Sequence, residues 1–277
     1  MKNNSIITFP FFNDSESGKI FCTYFKSTTI NTNQAVVFVP PFAEEMNKSR
    51  RMFSQQARRL ASNGINSILV DLYGTGDSEG EFYETTWDTW VSDIICTINW
   101  LKNQGKTSIG LVALRLGCLL AIDVAQKCNI QHIVFWQPVI NGDNYLGQFL
   151  RLRLAAEMNS VSGEKSSVKN LKDMLNSGEN VEVAGYMLSS KLAIELQNKQ
   201  LDKFTSLKNT KTIFWYDIVA DSNREPPLIH RKTQEQIREK NIHMESFKIA
   251  GASFWNCVEI VDIKELLQST EQALLNT

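Results

Sequence analysis

What this chain lacks narrows it first. None of its five cysteines (Cys22, Cys96, Cys118, Cys128, Cys257) forms a C-x-x-C pair. An odd, scattered set excludes a disulfide framework and leads us to expect a reducing, cytoplasmic setting. Acidic and basic residues nearly cancel, leaving a formal charge of −1, so no global field draws in nucleic acid or an anionic membrane. No uncharged apolar run is long enough for a transmembrane segment, the longest being broken by Arg115. The first residues carry one lysine and a short apolar stretch broken by Pro10, without a small-residue cleavage site; no signal peptide is expected. Histidine is scarce, with three in 277 residues, so imidazole chemistry has only His132, His230 and His243 to draw on. There is no internal repeat or low-complexity tract, and no cofactor or metal is expected.

What is present is an alternation of apolar strands and amphipathic helices. Residues 5–12 and 19–27 read as a β-hairpin around a polar loop at 13–18. A short apolar strand at 35–39 ends at Pro40-Pro41. A helix over 47–63, with a basic face, ends at Asn63-Gly64. The strand 65–70 leads into a glycine-rich loop, and Trp87, Trp90, Ile94, Ile98 and Leu101 recur at helical spacing. Residues 109–122, IGLVALRLGCLLAI, run from a β-branched strand through Ala113-Leu-Arg115-Leu-Gly117 into a leucine-rich helix. A further strand at 131–136 stops at Gln137-Pro138. From 141 to 209 no strand is apparent. Strand and helix resume with 212–216, a helix to Lys240, a strand at 242–249 and a last helix from about Asp262. This order predicts an α/β fold with a mostly parallel central sheet covered by helices on both faces. Residues 1–140 and 210–277 form the core, and 141–209 is a helical cap insertion over the carboxyl edge of the sheet.

The turn at Arg115 has small residues two positions before and two after it. This is the layout of a strained strand–turn–helix nucleophile elbow, G-x-S-x-G, in which the central residue attacks. That elbow, the loop Asp71-Leu-Tyr-Gly-Thr-Gly-Asp-Ser78 and the cap position resemble the α/β-hydrolase superfamily. Six blocks resemble the second type of exosortase A system-associated hydrolase more closely: Pro40 to Arg51, Asp71 to Ser78, Leu114 to Gly117, Trp136 to Pro138, Phe149 to Arg153, and Phe254-Trp255. The resemblance implies an α/β-hydrolase fold and a setting in bacterial exopolysaccharide and surface-protein export.

Serine hydrolysis needs a nucleophile, an imidazole, an orienting acid and an oxyanion hole. The nucleophile's place holds Arg115, a permanent cation. Cys118, one helical turn on, reads as an inert core thiol. The superfamily's histidine belongs in the loop after the last strand, where Gly251-Ala-Ser253-Phe-Trp255 offers Ser253 instead. His132 and His243 open strands at the wrong end, and His230 lies in a helix; each reads as structural or surface. Asp217 and Asp221 are both acid candidates. In the oxyanion loop Pro41 has no N–H to donate, leaving the amides of Phe42 or Leu116. Ser–His–Asp chemistry is therefore not expected.

A half-buried arginine requires a carboxylate, and loop 40–46 carries Glu44 and Glu45, one of which is expected to pair with Arg115. The expected pocket has Arg115 at its floor, with Phe42, Glu44, Glu45, Tyr73, Leu116, Trp136, Gln137 and Trp255 around it. Such a floor suits a small anionic or acyl ligand, free or bound to an acyl carrier. Arg151 and Arg153, which head the cap, are either solvent-facing or a second cationic contribution. A scaffold or partner-binding role through the cap is one reading of the chain, and two further functions remain open. One is a non-catalytic ligand-binding or accessory protein. The other is a thioesterase- or esterase-like hydrolase or acyl-transfer enzyme using Arg115 as an electrostatic stabiliser.

Overall fold

The computed structural model describes residues 6–158, 166–207 and 209–277. The first five residues, part of the signal-peptide reading and of the first strand expected, lie outside these, as do 159–165 and 208 within the range read as a cap.

The chain opens with an antiparallel hairpin, β1 (Ile6–Ser15) and β2 (Gly18–Ser27), tighter than the loop expected at 13–18. The core continues as β3 (Gln34–Val39), α1 (Glu44–Ser62), β4 (Asn66–Val70), α2 (Trp87–Asn103), β5 (Ser108–Leu114), α3 (Gly117–Lys127) and β6 (His132–Trp136). After α4 (Gly142–Met158), α5 (Val168–Asn176), β7 (Val181–Val183), β8 (Tyr186–Leu188) and α6 (Ser190–Gln197), it resumes with β9 (Thr212–Val219), α7 (Leu228–Arg238), β10 (His243–Ala250) and α8 (Lys264–Leu275). Eight strands form one sheet in the order β1-β2-β4-β3-β5-β6-β9-β10, antiparallel where β2 meets β1 and β4 and parallel from β4 to β10.

The strands from β3 to β6 are buried on both sides because helices cover both faces. Side chains alternate between two cores: Val36, Val112, Leu114 and Trp136 pack under α1 and α8, while Val37, Leu111, Ala113 and Phe135 pack under α2 and α3.

Two expectations need correction. The segment 141–209 is not purely helical: β7 and β8 pair as a small hairpin. Three-residue strands are too short to show an alternation, and the turn uses Ala184 and Gly185, both at positive φ, rather than a recognisable Asn-Gly pair. Helix α1 begins at Glu44, three residues earlier than its apolar periodicity showed, so Glu44 and Glu45 sit in a helix's first turn, where the helix dipole favours carboxylates.

The strand order reverses at β3: β4 lies to one side of it and β5 to the other. Ligands of open α/β sheets bind beyond the carboxyl ends of the strands at such a switch point. Here those ends are Pro40–Phe42 after β3 and Arg115 after β5.

Candidate functional site

Arg115 occupies the turn between β5 and α3 with φ at 54°, in the left-handed region. Its N–H donates to the Trp136 carbonyl at 3.1 Å and its carbonyl accepts from Val139 N–H at 3.2 Å, so β6 and the chain after it hold the strained residue in place. The small residue at 117 is obligatory: a Cβ there would stand 2.5 Å from the Val39 carbonyl oxygen and 2.6 Å from that of Pro40. Ala43, after β3, and Gln137, after β6, also have positive φ (50° and 45°). Backbone strain thus gathers at one edge of the sheet, around the elbow.

The arginine pairs with Glu45, not Glu44, through a single contact of 3.3 Å from Nε to Oε1. Tyr145 of α4 donates its hydroxyl to the other carboxylate oxygen at 2.9 Å. Burial pushes the Glu45 carboxyl up, with Arg115 and the Tyr145 hydrogen bond opposing it. The guanidinium carbon lies 5.4 Å from the centre of the Trp255 ring and 5.7 Å from that of Tyr145. No protein group among the described residues accepts from Nη1 or Nη2, and neither atom is among the sealed, unpartnered polar atoms.

Arg115 and Tyr145 line two cavities. One, of about 410 Å³, has Phe42, Phe149, Leu152 and Ala184 as apolar wall, with Glu44, Glu45 and Lys48 at its side. Phe42 and Phe149 meet edge to face at 4.7 Å. The other, of about 390 Å³, is more polar, with Asn144, Gln148, Asp202, His230 and Thr233. Both volumes fall in the usual range for small-molecule sites, roughly 300–1,000 Å³.

The structure brings Phe42, Glu44, Glu45, Arg115 and Trp255 together. It separates four other residues expected there. Trp136 is fully buried on the α1/α8 side, donating to Thr270 at 2.9 Å; strand alternation turns it away from the elbow. Tyr73 packs over Gly18 and Gly80 and reaches Glu84. Gln137 accepts from Ile218 N–H at 2.6 Å and shares a surface hollow with Ser253. Leu116 is buried beneath Pro40 and Pro41. Asp221 is exposed and accepts from Asn223 N–H within its own loop. Arg153 pairs with Glu157 along α4, and Arg151 is exposed; neither lines an Arg115 cavity. Cys118 is sealed in the core, and burial pushes its thiol well up, as an inert thiol requires.

His132 and His243 open β6 and β10, at the opposite end of the sheet from the elbow. His230 requires a correction. Of the two readings, structural or surface, the second fails: His230 is buried, its Nδ1 lies 2.5 Å from Asp217 Oδ1, and it lines the polar cavity with Arg115. Its place in a helix concealed this, because nothing in a sequence shows which strand residue a helix covers. On α4 only the arginines were weighed, and the cavity wall that the helix supplies was missed. Tyr145, Gln148, Phe149 and Leu152 at helical spacing were its signal. Among the described residues no serine or cysteine hydrogen-bonds any of the three imidazoles. Among the described residues there is no group of three His, Cys, Asp or Glu placed for a metal ion and no helix long and apolar enough to cross a membrane.

Residues 31–233 match the family described as serine aminopeptidase, S33. An acyl transferase of Photobacterium leiognathi is 27% identical over 183 residues, 65% of this chain and 53% of that protein. One from Shewanella hanedai is 27% identical over 129 residues, 46% of this chain and 41% of that protein. The matches thus span about half, or less, of these relatives' length. Among solved structures, Est1E from Butyrivibrio proteoclasticus with bound ferulic acid superposes with a TM-score of 0.66 at 15% identity, covering 96% of this chain and 98% of that one. An esterase of Rhizomucor miehei gives 0.63 at 14% identity over 100% and 85%. At these identities the likeness shows the α/β-hydrolase fold.

Proposed function

The chain belongs to the serine aminopeptidase S33 family of the α/β-hydrolase superfamily, and on that premise we propose that it binds an acyl ligand through Arg115, in the seat a serine nucleophile takes elsewhere. One observation carries this reading: a guanidinium fixed by Nε to Glu45, with both Nη groups unclaimed by the described residues, lines both an apolar cavity and a polar one. A carboxylate or thioester oxygen accepts from those Nη donors, and the acyl chain lies along Phe42, Phe149 and Leu152. Guanidinium is suited to this because its planar fork matches two oxygens and it is weakly hydrated. The acyl transferase relatives support the choice of ligand class. Segment 141–209 serves as the cap, its α4 supplying the apolar wall. On the six sequence blocks alone we place this role in exosortase-linked exopolysaccharide export, and on the scattered cysteines in the cytoplasm.

Calorimetric titration with decanoate and with decan-1-ol tests the assignment. Decanoate binding is expected to weaken about tenfold or more in Arg115→Gln, matching loss of a charge-assisted hydrogen bond of about 1.5–3 kcal/mol, while the alcohol binds weakly to both. Equal decanoate affinity in the two proteins removes Arg115 from the site.

A further inference from the structure

The Asp217–His230 pair is not needed for binding, yet it faces the site. Period-two alternation puts Asp217 on the same face of β9 as Trp215, beneath α7. There it accepts from Gln234 Nε2 at 3.3 Å through one oxygen and contacts His230 Nδ1 through the other. With Nδ1 taken, Nε2 is the ring nitrogen left to act. It bonds no protein group among the described residues and is not among the buried polar atoms sealed without a partner, unlike His132 Nδ1. The cavity it lines is the one that Arg115 and Tyr145 also line. A carboxylate that fixes one nitrogen of an imidazole sets its tautomer and leaves the other basic. The histidine comes from α7, between β9 and β10, rather than from the loop after β10, where Ser253 and Trp255 stand.

We propose that His230, oriented by Asp217, is a general base that activates water against an acyl thioester held by Arg115, giving this chain a thioesterase activity without a protein nucleophile. This rests on the acyl-binding reading above. A water in the polar cavity gives a proton to Nε2 as its oxygen bonds to the thioester carbonyl carbon. The carbonyl π pair moves onto oxygen, where the Arg115 Nη donors stabilise the charge. The carbonyl then re-forms, the C–S bond breaks with its electron pair leaving on sulfur, and the thiolate takes the proton back from Nε2. The products are a carboxylic acid and a thiol, and no oxidant, reductant or metal enters the balance. Asp217 acts as a positioning residue and touches no reacting atom.

The test uses the full chain and decanoyl-N-acetylcysteamine, with released thiol read by a disulfide dye and decanoate affinity read by calorimetry on the same samples. Unaltered protein is expected to release thiol above the buffer rate. His230→Gln is expected to lower that rate about 100-fold or more, the scale of a general base, with decanoate affinity within about twofold on that same basis of a base that does not bind. Asp217→Asn lowers kcat and leaves KM unchanged, and the exposed His243→Gln leaves both unchanged. Slower release in D2O by the unaltered protein reads the same proton transfer if the buried variants do not fold. Decanoate binding with thiol release at the buffer rate, or with release unaffected by a folded His230→Gln, overturns the proposal and leaves the binding reading standing. Release without a D2O effect also overturns it. Absence of decanoate binding overturns the binding reading and this proposal with it.

Discussion

Glu45 accepts from Arg115 Nε at 3.3 Å through one carboxylate oxygen and from the Tyr145 hydroxyl at 2.9 Å through the other. The elbow, the first turn of α1 and the first helix after β6 are thus joined at one carboxylate. Both partners of the ion pair are largely buried, at 16% and 17% side-chain exposure. Removing the cation alone therefore leaves a charge in a poorly solvated place. Arg115→Met is expected to lower unfolding stability by about 3 kcal/mol, as for other broken buried pairs. Urea denaturation reads this, and an unchanged midpoint would mean that the pair contributes nothing.

Strain at the elbow is separable from the ion pair. Arg115→Ala and Arg115→Gly both delete the guanidinium, but only alanine keeps a Cβ at a φ of 54°. Glycine is expected to be the more stable of the two by about 1 kcal/mol, since the left-handed region penalises L residues by roughly 1–2 kcal/mol. Thermal melts of the two proteins decide it; a more stable alanine variant would place the strain elsewhere.

Gly117→Ala tests the packing that forces the turn. The added methyl would stand 2.5 Å from one carbonyl oxygen of β3 and 2.6 Å from the next residue's, and backbone cannot swing aside as a side-chain tip can. A loss of about 1–3 kcal/mol is expected from such overpacking. Full stability by denaturant titration would show that β3 and α3 have slack.

Burial raises the Glu45 carboxyl above its ordinary value of 4.5. For an acid raised by folding, the folded state favours the protonated form. Stability is full below the unfolded value and falls as pH rises from there through the raised one. Relative to Glu45→Gln, the unaltered protein should therefore lose stability as pH climbs from 4.5 toward neutrality. Arg115, Tyr145, Glu44 and Lys48 are the titratable or charged groups around it. Over the same window its new charge repels a bound anion, so affinity for decyl sulfonate, which stays ionised, should fall in the unaltered protein more than in Glu45→Gln. Parallel pH curves for the two proteins would exclude Glu45 as the titrating group.

Much of this was legible in the sequence, because it depended on spacing. The elbow could be read from Ala113 and Gly117 flanking Arg115, and the doubly covered sheet from continuous apolar strands. The need for a carboxylate followed from burying a guanidinium, although Glu44 and Glu45 could not be told apart before α1 was seen to start at Glu44 and turn Glu45 inward. What stayed hidden depended on which face a side chain takes at a strand's end. Trp136 ends β6 and Tyr73 follows β4, both on the elbow's edge of the sheet, but one points into the α1/α8 core and the other packs over glycines of the hairpin and its own loop. His230 was passed over because its partner, Asp217, is thirteen residues away, on a strand covered by the histidine's helix.

The role of Arg115 is tested most directly by a crystal structure of the full chain soaked with decanoate. Carboxylate oxygens about 2.8 Å from Nη1 or Nη2, the usual charge-assisted distance, are expected, with the alkyl chain against Phe42, Phe149 and Leu152. Decanoate seated away from the elbow, or a guanidinium that stays bound to Glu45 alone at saturating ligand, contradicts Arg115 as the anchor.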